Sequence, residues 1–299
     1  MIQYLPHHAI DRERWDRCVT ASDSPLVYAM SWYLDIVAPG WNALVMDDYR
    51  SVFPLPYRKK WGLKYVYQPA FTQQLGCFGE GNVDDFLLTI PEEFRLVDLQ
   101  LNHVNTCHRF KTETRPNLVL SLQLPIEHLR KSYSENVRRN IKKSHSHGLA
   151  LDESVTIDSI IELFRNHKGK AIRGLKEMDY STLKLICSEA TKRNLLELHA
   201  ARHPVEGLQA GAVFLRSPHG WIFLFSAVDP AGRSTGAMSA LIDRFIERHA
   251  GESCVLDFEG STDPDLYRFY KSFGSRESVY LRIRMNRLPF PLRLFKNQL

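Results

Sequence analysis

Apolar residues recur along the chain with two periods, and the places where one gives way to the other predict the elements. Trp221 to Val228 is an almost unbroken apolar and aromatic run, the pattern of a strand buried on both faces. Asp229, Pro230, Ala231 and Gly232 break it. From Ser234 to His249, Ala237, Leu241, Ile242, Phe245 and Ile246 then fall at helical spacing. Cys254 to Ser261 alternates with period two, which predicts a strand with Cys254, Leu256 and Phe258 on one face and Val255, Asp257 and Glu259 on the other. After Gly260, Ser261 or Asp263 caps a short helix that opens at Pro264, is lined by Leu266, Phe269, Tyr270 and Phe273, and stops at Gly274.

The same reading extends upstream. Asp11 to Val19, Ser31 to Val37 and Val83 to Thr89 predict helices. Ala43 to Met46 and Val52 to Pro56 predict a hairpin turning at Asp47, Asp48 and Tyr49. Tyr57 to Lys64 reads as a basic connection into a strand at Tyr65 to Gln68, and Phe94 to Leu101 and Leu118 to Leu124 complete a first mixed sheet. Pro125 marks the domain boundary, giving domains 1–125 and 126–299. Beyond it, Ile126 to His147 is a long helical pattern with Leu129, Tyr133, Val137 and Ile141 on one face and Arg130, Lys131, Arg138, Arg139, Lys142 and Lys143 on the other. A short strand at Leu149 to Asp152, a helix from Ser159, a basic glycine-containing loop over Asn166 to Glu177, a helix over Tyr180 to Arg193 and strands at Leu195 to Arg202 and Leu208 to Leu215 lead back to Trp221. The fold class is α/β (α+β): two lobes, each a mixed twisted sheet flanked by helices.

Composition narrows the function classes. With 299 residues, 44% hydrophobic and 24% charged, the chain is sized for two globular domains. A formal charge of +5 suits an anionic ligand and is too small to argue for nucleic acid by itself. The cationic face after Pro125 is read first as a solvated helix face and second as a surface for tRNA or another polyanion, and it carries no aromatics for base stacking. Five scattered cysteines without a C-x-x-C pair point to a reducing compartment. With no signal-like segment and no apolar run of about 18 residues, the expectation is a cytoplasmic protein without a membrane span.

The chemistry is concentrated at the two strand ends. A helix that follows a strand through a glycine turn presents unpaired N–H groups and a positive dipole end, a site for phosphate or pyrophosphate; Gly232 and Gly236 allow close approach and Arg233 adds charge. Gly232-Arg-Ser234-Thr-Gly236 also spells G-x-S-x-G. A hydrolase needs a histidine after its acid, and His249 precedes Asp257, Asp263 and Asp265 with none following. His199 with His203, and His145 with His147, lack the further ligands of a metal site, so no metal is expected. No Walker loop or G-x-G-x-x-G occurs.

Three stretches resemble the GNAT-type acyl-CoA N-acyltransferases and, within them, the two-lobed Fem-like branch. Arg233-Ser-Thr-Gly236-Ala237-Met238 is similar to the family's R/Q-x-x-G-x-G/A pyrophosphate turn and departs from it at Met238. Phe269-Tyr270-Lys271-Ser272-Phe273-Gly274 looks like the late-helix motif that carries the tyrosine. Ser134 to Lys143, followed by Gly148, looks like the basic helix that opens the second Fem-like lobe. The resemblance implies tandem GNAT-like lobes and acetyl-CoA or another acyl-CoA as co-substrate, held by Val228, Arg233, Ser234, Thr235, Gly236, Ala237, Met238, Ser239 and Lys271. It further implies Tyr270 as the acid that protonates the departing thiolate. Glu259 or Asp257 is the candidate base for the attacking amine. Tyr67, Gln73 and Gln74, in a stretch that resembles a polar loop of Fem-like relatives, are the candidate substrate contacts. The expected acceptor is a primary amine of a small molecule or cell-envelope precursor. Fem transferases that draw on aminoacyl-tRNA carry Lys where Tyr270 stands, which favours a CoA thioester; a tRNA-dependent transferase and an inactive two-lobed binding protein are the alternatives.

Overall fold

Caps and left-handed turns set where each element stops. The computed structural model describes residues 1–167, 175–260 and 263–288, so most of the basic loop expected at Asn166 to Glu177, and Ser261 as a cap, lie outside the described residues. The chain runs β1 (Ile2–Leu5), α1 (Arg12–Ala21), α2 (Ser31–Val37), β2 (Asn42–Met46), β3 (Ser51–Leu55), β4 (Tyr57–Lys60), β5 (Leu63–Val66), β6 (Phe78–Gly79), α3 (Val83–Thr89), β7 (Phe94–Gln100) and β8 (Thr112–Ser121). It continues α4 (Ile126–Lys131), α5 (Glu135–Ser146), β9 (Ala150–Asp152), α6 (Ile157–Asn166), α7 (Glu177–Lys192), β10 (Leu196–His203), β11 (Gly207–Ser217) and β12 (Gly220–Val228). It closes with α8 (Pro230–Thr235), α9 (Ala237–His249), β13 (Val255–Asp257), α10 (Pro264–Lys271) and β14 (Arg276–Asn286).

Two compact units result: Met1–Arg115 together with the chain from Val279, and Pro116–Ser278. The division differs from the expected boundary at Pro125. Strand β14 pairs antiparallel with β7, from Arg282 opposite Gln100 to Asn286 opposite Leu96, and so joins this late strand to the first unit. That unit carries the orders β1-β2-β3-β6 and β4-β5-β7-β14. Its basic connection is a hairpin, with β4 and β5 in register from Tyr57 opposite Val66 to Lys60 opposite Leu63.

The second unit carries the order β8-β13-β12-β11-β10-β9. Its core lies between this sheet and α4, α5 and α9, with Phe214 stacked on Phe245 and Tyr133 edge-on to Phe273. Two helices expected to be continuous are broken. The Ile126–His147 pattern stops at Lys131 and restarts at Glu135, because Ser134 is extended and its hydroxyl accepts the Val137 N–H at 3.3 Å as an N-cap. The Ser234–His249 pattern is preceded by α8, capped by Asp229, and is divided from it by Gly236 at φ +79°. A Cβ on Gly236 would collide with the Asn140 carbonyl oxygen of α5, so glycine is needed there for both conformation and space.

A buried charge cluster fixes the far end of α9. His249 sits 2.7 Å from Glu252 and 3.2 Å from Glu197 of β10, which also bonds His199 at 2.9 Å. Burial opposes the imidazolium, but hydrogen bonds and charge from Glu197 and Glu252 outweigh it and raise His249. Burial likewise opposes the Glu197 carboxylate, while His199, His249 and Arg248 hold it down at about 2.

A raised imidazole stabilises the fold fully below its ordinary value of 6.5 and loses that contribution as pH rises through the folded value; a depressed carboxyl loses its contribution as pH falls toward about 2. Urea unfolding across pH should therefore show wild type more stable than His249→Gln by about 2 kcal/mol between roughly pH 5 and 6. The gap should narrow on the alkaline side, and a pH-independent gap would show that His249 packs as a neutral ring. Gly236→Ala should cost about 1–3 kcal/mol by the same measurement, because it strains φ and pushes α5 from α9.

Candidate active site

Strands β12 and β13 run parallel only from Gly220 opposite Val255 to Ile222 opposite Asp257. Beyond Ile222, among the described residues, no strand pairs with β12 on that side, while β11 continues to pair with it on the other as far as Val228. Two local features produce the divergence. Leu224 is an extra residue where the β11 register shifts between Val213 and Phe214, a bulge that bends β12. On the other strand the backbone leaves at Asp257. Phe258 N–H bonds Leu118 O of β8 at 2.9 Å, and Glu259 and Gly260 adopt positive φ of 58° and 43°.

The Asp257 carboxylate holds that turn. One oxygen accepts the Glu259 N–H at 2.7 Å and the other accepts Asn117 Nδ2 at 3.0 Å. Burial pushes its carboxyl up to about 6, against the lowering effect of those two hydrogen bonds. The alternation expected through Ser261 thus ends at Asp257, and Glu259 lies in a left-handed turn rather than beside Asp257 on one strand face. The missed Asn117 is recognisable only in three dimensions, since it comes from β8.

A cleft of about 480 Å³ opens at the divergence. Its walls are Phe223 and Ser226 to Val228 of β12, Gly232 and Arg233 of α8, Gly236, Met238 and Ser239 at the start of α9, and Asn140 and Phe164 of α5 and α6. Asp263, Asp265, Leu266, Phe269 and Tyr270 of α10 close it. Tyr270 stacks on Phe258 with centroids 5.2 Å apart and meets Phe223 edge-on at 5.8 Å. Burial, then the charges of Glu259 and Asp263, raise its phenol, so the hydroxyl keeps its proton at neutral pH.

The turn expected to hold pyrophosphate is not one strand-to-helix junction but two helices divided at Gly236. The start of α8 is occupied by the Asp229 carboxylate, which accepts the Gly232 N–H at 2.5 Å, whereas no side chain caps α9 at Gly236. The helix start left without a side-chain cap is therefore that of α9, beside the exposed Arg233. Of the residues named for the cofactor, Val228, Arg233, Gly236, Met238 and Ser239 line the cleft. The others face elsewhere. Ser234 donates to Ala231 O at 2.8 Å, Thr235 donates to Gln209 Oε1 at 3.0 Å, Ala237 is buried in the core, and Lys271 lies over the Tyr267 ring at 5.5 Å.

Tyr67, Gln73 and Gln74 belong to the first unit. Arg58 covers the Tyr67 ring at 4.3 Å, and both glutamines are buried rather than turned to water. Gln74 Nε2 donates to Gln73 Oε1 at 2.7 Å, which leaves the buried Gln74 Oε1 without a hydrogen bond. Among the described residues no cluster of three or more His, Cys, Asp or Glu is placed to hold a metal ion, and no helix is long and apolar enough to cross a membrane.

Residues 131–272 match the family model described as an acetyltransferase (GNAT) domain. The solved structure of FemX is similar over 99% of this chain and 100% of its own, with a TM-score of 0.68 at 12% identity. The C-terminal domain of a putative lysylphosphatidylglycerol synthetase from Agrobacterium fabrum is similar over 95% of this chain and 93% of its own, with a TM-score of 0.53 at 12% identity. The lysylphosphatidylglycerol synthetase structure from Bacillus licheniformis covers 95% of each chain, with a TM-score of 0.53 at 11% identity. No curated protein matches. At these identities the likeness to solved structures concerns the fold, and the family match concerns the second unit's chemistry. The chain therefore carries a GNAT acetyltransferase domain at residues 131–272, within a two-lobed fold of the Fem-like kind, and is an acyltransferase.

Proposed function

We propose that the cleft takes an acyl-CoA thioester and transfers its acyl group to a primary amine, of a small molecule or a cell-envelope precursor. The observation that carries this reading is the divergence of β12 from β13 after Ile222 and Asp257, which leaves a strand edge open beside an apolar cleft. A pantetheine arm is an extended chain of amides, and such a chain pairs with an open strand edge through main-chain hydrogen bonds. The start of α9 and Arg233 fit a pyrophosphate at one end of that arm. Asp263 and Asp265, also at the cleft wall, favour the approach of a cationic amine.

The attacking amine must be neutral, so it gives up a proton; Glu259 is not among the residues lining the cleft, but its charge acts on Tyr270, and it is assigned as the base through one water. Asp257 is assigned a positioning role instead, because both of its oxygens are engaged in the turn that carries Glu259. Amides of β12 past the bulge at Leu224 face the developing oxyanion. As the C–S bond breaks, Tyr270 donates its proton to the leaving sulfur. The proton taken from the amine restores the phenol.

The rival donor is an aminoacyl-tRNA. A second groove of about 550 Å³ is lined by Lys131, Arg138, Lys142 and His145, which supply charge for it, together with Glu127 and with Arg130, which is already paired with Asp243 and Glu247. Titration with acetyl-CoA and with aminoacyl-tRNA separates the two donors, and tRNA binding would weaken steeply with salt.

Tyr270→Phe should lower kcat about 100-fold with little change in KM, and Glu259→Gln should act similarly. An unaltered kcat would remove the assigned role in either case. Arg233→Ala should raise KM for acetyl-CoA about tenfold and leave kcat near wild type.

Asp257 supplies a pH test. With its folded value raised to about 6, its ionisation costs stability as pH rises from 3.8 through about 6, while below that value the neutral carboxyl accepts the Glu259 N–H and the Asn117 amide less strongly. Rates should therefore fall below about pH 6. Asp257→Asn should stabilise the fold at neutral pH and flatten that limb, since the Asn117 amide can rotate to pair with the new one. Loss of activity by about 100-fold or more at neutral pH would instead make Asp257 the base.

A further inference from the structure

The β4–β5 hairpin contains a residue choice that folding does not explain. The turn is the two-residue loop Trp61-Gly62, with φ of 50° and 77°. Both residues of such a loop take positive φ, which favours Asn, Asp or Gly at the first position and is unfavourable for a bulky side chain. Here the position holds a tryptophan that is 88% exposed. The strained backbone is offset by no burial, and the ring's one recorded partner is the Lys60 ammonium at 4.6 Å. Around it the hairpin carries Arg58, Lys59, Lys60 and Lys64 and no acidic residue. Among the described residues only Lys64 of these four forms an ion pair, with Glu93 at 2.8 Å.

Lysines on an edge strand such as β4 also serve to block edge-to-edge aggregation, which accounts for Lys59 and Lys60. It does not account for an indole at the tip, which by itself promotes association. A tip that joins one amphipathic aromatic to flanking cations matches the interface of an anionic bilayer. There the indole sits at headgroup depth and basic side chains are drawn to the negative surface. Single-stranded nucleic acid also pairs with aromatics and cations, but along a groove with successive stacking faces. Here the exposed ring stands alone on a convex turn.

We propose that this hairpin docks the protein peripherally on anionic membrane surfaces, with Trp61 inserted at the headgroup level and Arg58, Lys59 and Lys60 against the lipid phosphates. The inference rests on the first unit and is independent of the donor assigned to the cleft. Co-sedimentation with phosphatidylcholine vesicles, with and without phosphatidylglycerol, tests it, with binding of a labelled tRNA measured in parallel. Wild type should bind the anionic vesicles, weakly or not at all the neutral ones, and release with salt.

Lys59→Gln/Lys60→Gln should weaken vesicle binding by about tenfold or more, at about fivefold per cation removed. Trp61→Asn should weaken it by about fivefold or more. Because asparagine is at home at positive φ, Trp61→Asn should also keep or raise the melting temperature and leave acyl transfer between soluble substrates unchanged. Absence of binding to anionic vesicles, or vesicle binding indifferent to Trp61→Asn, would overturn the proposal. So would loss of tRNA binding alone in the variants, which would assign the hairpin to nucleic acid.

Discussion

The Asp257 carboxylate is the constraint on which the second unit's geometry turns. By accepting the Glu259 N–H and the Asn117 amide, it holds the left-handed turn that ends β13 and keeps Phe258 on β8, away from β12. Were β13 to continue in register with β12, the sheet would close and the cleft would not exist. The carboxylate is held at a cost, visible in its upward shift to about 6. A half-buried acid whose ionisation burial opposes destabilises the fold at neutral pH, and such a cost is expected where a site, rather than the fold alone, is being shaped.

The other parts of the cleft follow from packing. Gly236 lets α9 begin against Asn140 of α5, which directs the uncapped helix start toward the cleft. Tyr270 is held by stacking on Phe258 and by its edge contact with Phe223, so it lines the cleft from a helix whose own residues are not deeply buried. The charge network around His249, at the far end of α9, belongs to a different task. It anchors that helix to β10 and contributes no residue to the cleft.

Most of the elements were legible in the sequence because their apolar periods are long and their ends are marked by Pro, Gly or a polar cap, as in α2, α3 and β12. What was not legible depended on partners distant in the chain. The alternation of Cys254 to Ser261 carried no sign that Asn117 and the positive φ of Glu259 would end the strand early. The apolar face from Ile126 to His147 concealed the Ser134 cap. Val279 onward read as part of the second domain, because a strand's sheet is chosen by its pairing with β7 and not by its position in the chain. Of the motif positions, Arg233, Gly236 and Tyr270 line the cleft, whereas Ser234, Thr235 and Lys271 share the motif but spend their side chains on local contacts.

Past Ile222, among the described residues, β12 keeps an edge that no strand covers, and the proposed function needs an extended ligand to pair with it. Amide hydrogen exchange on the full chain, with and without acetyl-CoA, tests it most directly. Slowed exchange confined to the second half of β12 and the start of α9 is the predicted result. Unchanged exchange in β12 under saturating acetyl-CoA would contradict the account.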